Sequence, residues 1–163
     1  MNRRIPATIV NHVVIDIAAD ADAVWQVILH EIVEARSFRD LNAMTPLGDP
    51  NVPLGGYRTK LENGDGGIDE QVIHVTERDE AARRVSVRAD FVSDPAGTQV
   101  YATYQAREIQ GGARFTIDCH TRLDLEVPDG ADVGAVIGKE TATYDTGMTA
   151  RLEKVKKRLE GTE

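Results

Sequence analysis

Residues 113–127 alternate without a break. Phe115, Ile117, Cys119, Thr121, Leu123, Leu125 and Val127 take turns with Arg114, Thr116, Asp118, His120, Arg122, Asp124 and Glu126. Successive side chains of a strand point to opposite faces, so this pattern predicts a strand buried on one side and wet on the other. A one-sided sheet is stable only when another layer covers its apolar face. The residues that follow supply that layer. After Pro128-Asp129-Gly130, the positions Val133, Ile137, Thr141, Tyr144, Met148, Leu152, Val155 and Leu159 succeed one another at steps of three or four. This spacing predicts an amphipathic helix on the order of 40 Å long, enough to span a whole sheet. Within it, Gly134, Gly138 and Gly147 each cost about 1 kcal/mol relative to alanine, and the expected reason is close approach by backbone or ligand.

The rest of the chain reads as the sheet to be covered. Residues 8–17 are β-branched and apolar and predict a first strand, which closes on Ala18-Ala19-Asp20. Asp20 is placed to cap a helix in which Val24, Val27, Ile28 and Ile32 recur beside Trp25, with a break near His30 and a second short helix to about Ser37. Residues 40–56 hold Pro46, Gly48, Pro50, Pro53, Gly55 and Gly56 and predict a loop with one short strand over 43–47. Strands are then expected at 57–63, 68–77, 84–91, 99–109 and 113–127, separated by compact turns.

Composition narrows the function classes. At 163 residues, 41% hydrophobic and 28% charged, the chain suits one globular domain spanning 1–163. Its formal charge of −8 repels phosphate backbones and anionic membranes, so nucleic acid is not an expected partner. Lys154, Lys156, Lys157 and Arg158 fall in the last turns of the predicted long helix, where they complement its dipole. A single cysteine, Cys119, allows no internal disulfide and suits a reducing compartment. No leader pattern follows the basic N-terminus and no apolar stretch approaches a membrane span, so the expected location is cytoplasmic. His12, His30, His74 and His120 lie far apart with no paired ligand spacing, so neither metal nor other cofactor is expected.

The order strand, two short helices, six further antiparallel strands and long helix resembles the START-like (SRPBCC) superfamily. Three local passages support the resemblance. Ile15-Asp16-Ile17-Ala18-Ala19-Asp20-Ala21-Asp22-Ala23-Val24-Trp25 looks like its opening, Gly55-Gly56-Tyr57-Arg58 like the glycine-rich entry to the third strand, and Ile68-Asp69-Glu70-Gln71-Val72 like the start of the fourth. The resemblance implies an α+β helix-grip fold: a seven-stranded curved antiparallel sheet wrapped around the C-terminal helix, with a deep cavity between them. It also implies that an acidic residue at Glu70 looks into that cavity, as in related hormone receptors and cyclases.

The expected ligand is a small hydrophobic or amphipathic molecule, bound or carried by a monomer or homodimer. Candidate contacts are Arg58, Glu70, His74, Tyr104, Phe115, Tyr144 and Met148. Glu70 and His74 share a strand face about 13 Å apart and are the candidate proton carriers of an alternative, cyclase-like enzyme. Arg58 is placed to pair with Glu70 across neighbouring strands. Tyr101 and Tyr104 fall on opposite faces of one strand, so only one can face the cavity. Residues 46–56 and 93–97 are the expected gate. A third reading, a protein-interaction or stress-response module with a collapsed cavity, would use the apolar patch Val52-Pro53-Leu54.

Overall fold

The structure, a computed structural model, describes residues 2–48, 54–62, 64 and 66–161. Seven strands make one antiparallel sheet: β1 (Arg3–Ile17), β2 (Met44–Pro46), β3 (Gly56–Glu62), β4 (Ile68–Asp79), β5 (Arg84–Phe91), β6 (Gln99–Ile109) and β7 (Gly112–Val127). Their order across the sheet is β1-β7-β6-β5-β4-β3-β2, so every neighbour is sequential except that the first strand pairs with the last. The β1–β7 register runs from Arg3 opposite Val127 to Ile17 opposite Ala113. β1 therefore starts five residues before the expected residue 8. Pro6 does not stop it, because β1 is an edge strand and the missing N–H faces no partner.

Asp20 caps α1 (Ala21–Ile28) as expected, accepting at Oδ1 from the Ala23 N–H at 2.7 Å. The break near His30 takes a specific form: the helix widens into a π-turn, Leu29–Val33, before α2 (Arg36–Asp40). Ala35 ends the turn in the left-handed region, φ 50°, with its methyl fully buried. A buried hydrogen bond fixes the turn to the sheet, because the Tyr57 hydroxyl donates to the Ile32 carbonyl at 2.8 Å. The Trp25 indole donates to Glu80 Oε2 at 2.8 Å and ties α1 to the turn between β4 and β5.

The concave face carries Val13, Ile17, Tyr57, Ile73, Val85, Val87, Ala102, Phe115 and Ile117, all buried. The long helix α3 (Val133–Glu160) runs across it, packing chiefly on β1 with smaller contacts to β7 and α1. Its two halves are held differently. Near the C-terminal end, Leu152 is 1% exposed, Lys156 Nζ donates to the Asp16 carbonyl at 2.9 Å, and Glu160 accepts from the Ala18 N–H at 2.7 Å. Toward the N-terminal end, Ile137, Thr141, Tyr144 and Met148 of the expected stripe are only half-buried. One buried polar contact holds that half: Asn11 donates to the Thr141 carbonyl at 3.1 Å and to Asp145 Oδ1 at 2.8 Å.

The glycines of α3 admit no close approach by backbone, one of the two reasons expected from the sequence. A Cβ built on Gly138 or Gly147 would meet nothing within 4 Å, and one on Gly134 would meet only the capping carboxylate of Asp132. They loosen the helix without admitting a close neighbour. Gly138→Ala is therefore expected to raise stability by about 1 kcal/mol, measured as a higher urea midpoint.

Candidate binding site

Strand alternation decides which candidates share a space. On β4 the buried side chains are Ile73 and Val75, so Glu70, Val72 and His74 point the other way, onto the convex face. Arg58 lies on that outer face too, since its neighbours Tyr57 and Thr59 are the buried ones. There the Arg58 guanidinium pairs with Glu70 Oε1, and Lys60 Nζ stands 3.4 Å from Oε2. The expected Arg58–Glu70 pair is thus present, but two cations hold the carboxylate outside the sheet rather than in a cavity. His74 sits between Gly56 and Arg88 in the cross-strand register. Arg58, Glu70 and His74 are corrected accordingly: all three lie on the outer face, where Arg58 and Glu70 form an ion pair.

Three of the other four candidates, Tyr104, Phe115 and Met148, belong to one core cluster. Tyr104 and Phe115 project from β6 and β7 into the concave side, Met148 packs on the same cluster from α3, and Tyr144 is half-buried one turn earlier on that helix. Tyr101, the alternate phenol, is 39% exposed on the outer face. Tyr104 retains accessible surface although it stands mid-sheet beneath the helices, so that surface faces an interior gap. An apolar cavity of about 20 Å³ lies there, bounded by Ile28, Ile32, Tyr104, Phe115, Ile117 and Leu152. That is room for about one water molecule, against several hundred Å³ in an ordinary ligand pocket. The deep cavity implied by the family resemblance is closed among the described residues.

Several polar side chains that the sequence reading passed over line or flank this interior. Asn11 and Thr121 are buried on the concave face, and Asn11 Oδ1 has no hydrogen-bond partner. Both Asn11 partners are acceptors, so its amide must turn the NH₂ toward α3 and leave the oxygen unmatched. Cys119 lies across the register from Asn11, its thiol pKa pushed up by burial. Burial likewise raises the pKa of the Tyr104 and Tyr144 phenols, which keeps them hydrogen-bond donors. Arg151 of α3 opposes that shift at Tyr104 through its charge. Leu54 is described, but Val52 and Pro53 of the expected interaction patch lie outside the described residues.

Tyr57 is the clearest pH reporter. Burial raises its pKa from 10.0 to about 12, because the phenolate would lose its hydration beneath the π-turn. The unfolded chain releases this proton first, so the contribution is intact below pH 10 and is lost as the pH rises toward about 12. Urea midpoints should fall across that window in the wild type and fall less in Tyr57→Phe; equal losses in both would remove Tyr57 as the cause.

Comparison with solved structures now has a geometry to attach to. Ara h 8.0201 superposes with a TM-score of 0.63 at 9% identity, over 91% of this chain and 97% of that one. This is the helix-grip fold. The Zhui aromatase/cyclase from Streptomyces sp. R1128 shares it, with a TM-score of 0.56 at 16% identity over 91% of this chain and 95% of that one. The di-domain ARO/CYC BexL from the BE-7585A biosynthetic pathway gives 0.61 at 14% identity, over 88% of this chain and 47% of its own. No family model and no curated protein matches the sequence. Among the described residues of this helix-grip chain, no helix is long and apolar enough to cross a membrane, and no three His, Cys, Asp or Glu side chains are grouped to hold a metal ion.

Proposed function

We propose that the chain binds a small apolar or amphipathic molecule between the concave face of its sheet and α3. The observation that carries this reading is the accessible surface left on Tyr104 and Met148, two side chains that pack against the core. Apolar burial would supply most of the affinity, at about 25 cal/mol per Å² removed from water. The phenols and Asn11 would set the ligand's orientation. Because that cavity holds about one water and is bordered by α3 only at Arg151, Leu152 and Val155, a larger ligand needs further space opened beneath α3, toward its N-terminal half. Its half-buried stripe, three glycines and single buried polar tie make that half the weaker one.

A cyclase-like reaction needs a proton carrier facing the ligand, and Glu70 and His74 face outward. That geometry favours binding without chemistry. Titration with the uncharged fluorophore N-phenyl-1-naphthylamine tests the proposal. Saturable enhancement is expected, weakened about tenfold or more in Met148→Trp, whose larger ring takes up space on the core side of α3. No saturable signal, or an unchanged signal in a folded Met148→Trp, would refute it.

A further inference from the structure

The small apolar cavity has a charged neighbour. A second, outer groove of about 230 Å³ lies between α2 and the C-terminal half of α3, bounded by Glu31, Ser37, Arg151, Lys154, Val155 and Arg158. Glu31, Arg151 and Val155 border both spaces, so an apolar interior and a charged groove lie side by side. Arg151, Lys154 and Arg158 are spaced three and four apart and line one side of α3. On a chain of net charge −8, this is a concentrated positive surface.

Its own carboxylate is already occupied. Ser37 donates to Glu31 Oε2 at 2.5 Å, and Arg158 stands 3.8 Å from Glu31 Oε1. Among the described residues, neither Arg151 nor Lys154 makes an ion pair. The helix dipole explains cations in the last turn only, so it accounts for Lys157 and Arg158 but not for Arg151, more than two turns before the end of α3. Arg151 is instead the cation whose charge reaches the two interior phenols, Tyr57 and Tyr104. The π-turn contributes as well. The extra residue it inserts into the helix alters the direction of Glu31, which borders the groove, while the Ile32 carbonyl accepts from Tyr57.

We infer that the ligand is an amphipathic organic acid, its carboxylate held at Arg151 and Lys154 and its apolar body directed past Val155 toward Tyr104 and Phe115. This deepens the proposed function and rests on it. A guanidinium with free donors at the rim of an apolar slot reads a planar carboxylate in two hydrogen bonds, which an alcohol of the same length cannot accept.

The test displaces N-phenyl-1-naphthylamine with octanoate and with octan-1-ol at low ionic strength. Octanoate is expected to compete about tenfold more strongly, and the double variant Arg151→Gln, Lys154→Gln to lose that preference while competing normally with octan-1-ol. Both side chains lie outside the core, so the variant's thermal midpoint, measured alongside, should match the wild type. Equal competition by acid and alcohol would overturn this inference and leave the proposed function standing. A preference that persists in the double variant would overturn the assigned residues. Failure of the fluorophore itself to bind would remove both.

Discussion

Leu152→Ala should destabilise the protein by about 3 kcal/mol, the usual range for a large aliphatic side chain removed from a closed core being roughly 2–5. Leu152 is the one side chain of α3 buried outright, and it forms part of the wall of the small cavity with Ile28, Ile32 and Phe115. Its loss removes both the transfer energy of the missing carbons and the contacts of the cavity they leave. Met148→Ala, on the half-buried part of the same stripe, should cost clearly less. Urea denaturation of the two variants measures the contrast. Equal costs would mean that the two halves of α3 are held alike, and the division between anchor and lid would fail with that result.

The second large effect belongs to a glycine. Gly112 opens β7 beside the end of β1, and a Cβ there would stand 2.1 Å from the Ile17 carbonyl oxygen and 3.2 Å from the Ala18 Cα. Those are backbone atoms, held by the register that sets Ile17 opposite Ala113, so no flexible side chain can yield. Gly112→Ala is expected to cost about 3 kcal/mol, through displacement of the β1–β7 junction. The same substitution at Gly138 is expected to stabilise. Opposite signs for one chemical change would show that space, and not intrinsic propensity, decides the outcome at Gly112. A neutral Gly112→Ala would mean that the junction relaxes freely.

The sequence made some elements plain and left others ambiguous, for physical reasons. β7 and α3 each bury a single face, so their periods of two and of three to four were explicit, and the expected stripe of α3 is the one the structure uses. β4 is different. Ile68 and Val72 fall on one face, Ile73 and Val75 on the other, and an apolar count cannot say which face is inner. An inward placement of Glu70 and His74 rests on that ambiguous strand. The structure resolves it through neighbours: Tyr57 and Ala89 stand beside Ile73 and are themselves buried. Asn11 was hidden by the same ambiguity, because Val10 and Val14 are apolar yet 57% and 42% exposed. Arg151 was hidden by its position one step off the apolar stripe, where an arginine reads as a solvated residue.

The order of the strands also says something about how the molecule is made. Each hairpin from β3 to β7 joins neighbours in sequence and can close as soon as it exists, but β1 has a partner only in β7, with Arg3 opposite Val127. During synthesis the first strand must wait, apolar and unpaired, until the last one has emerged, and α3 has its main support on that late pair. Pairing at such sequence separation is slow, because the chain between the partners must be ordered before the contact repays it. Val10 and Val14 stay exposed even in the finished sheet, so the waiting strand has few charges along its middle to discourage a wrong partner. Refolding of this protein should therefore be limited by the joining of its two ends, and a second chain's β7 is the natural competitor for that step.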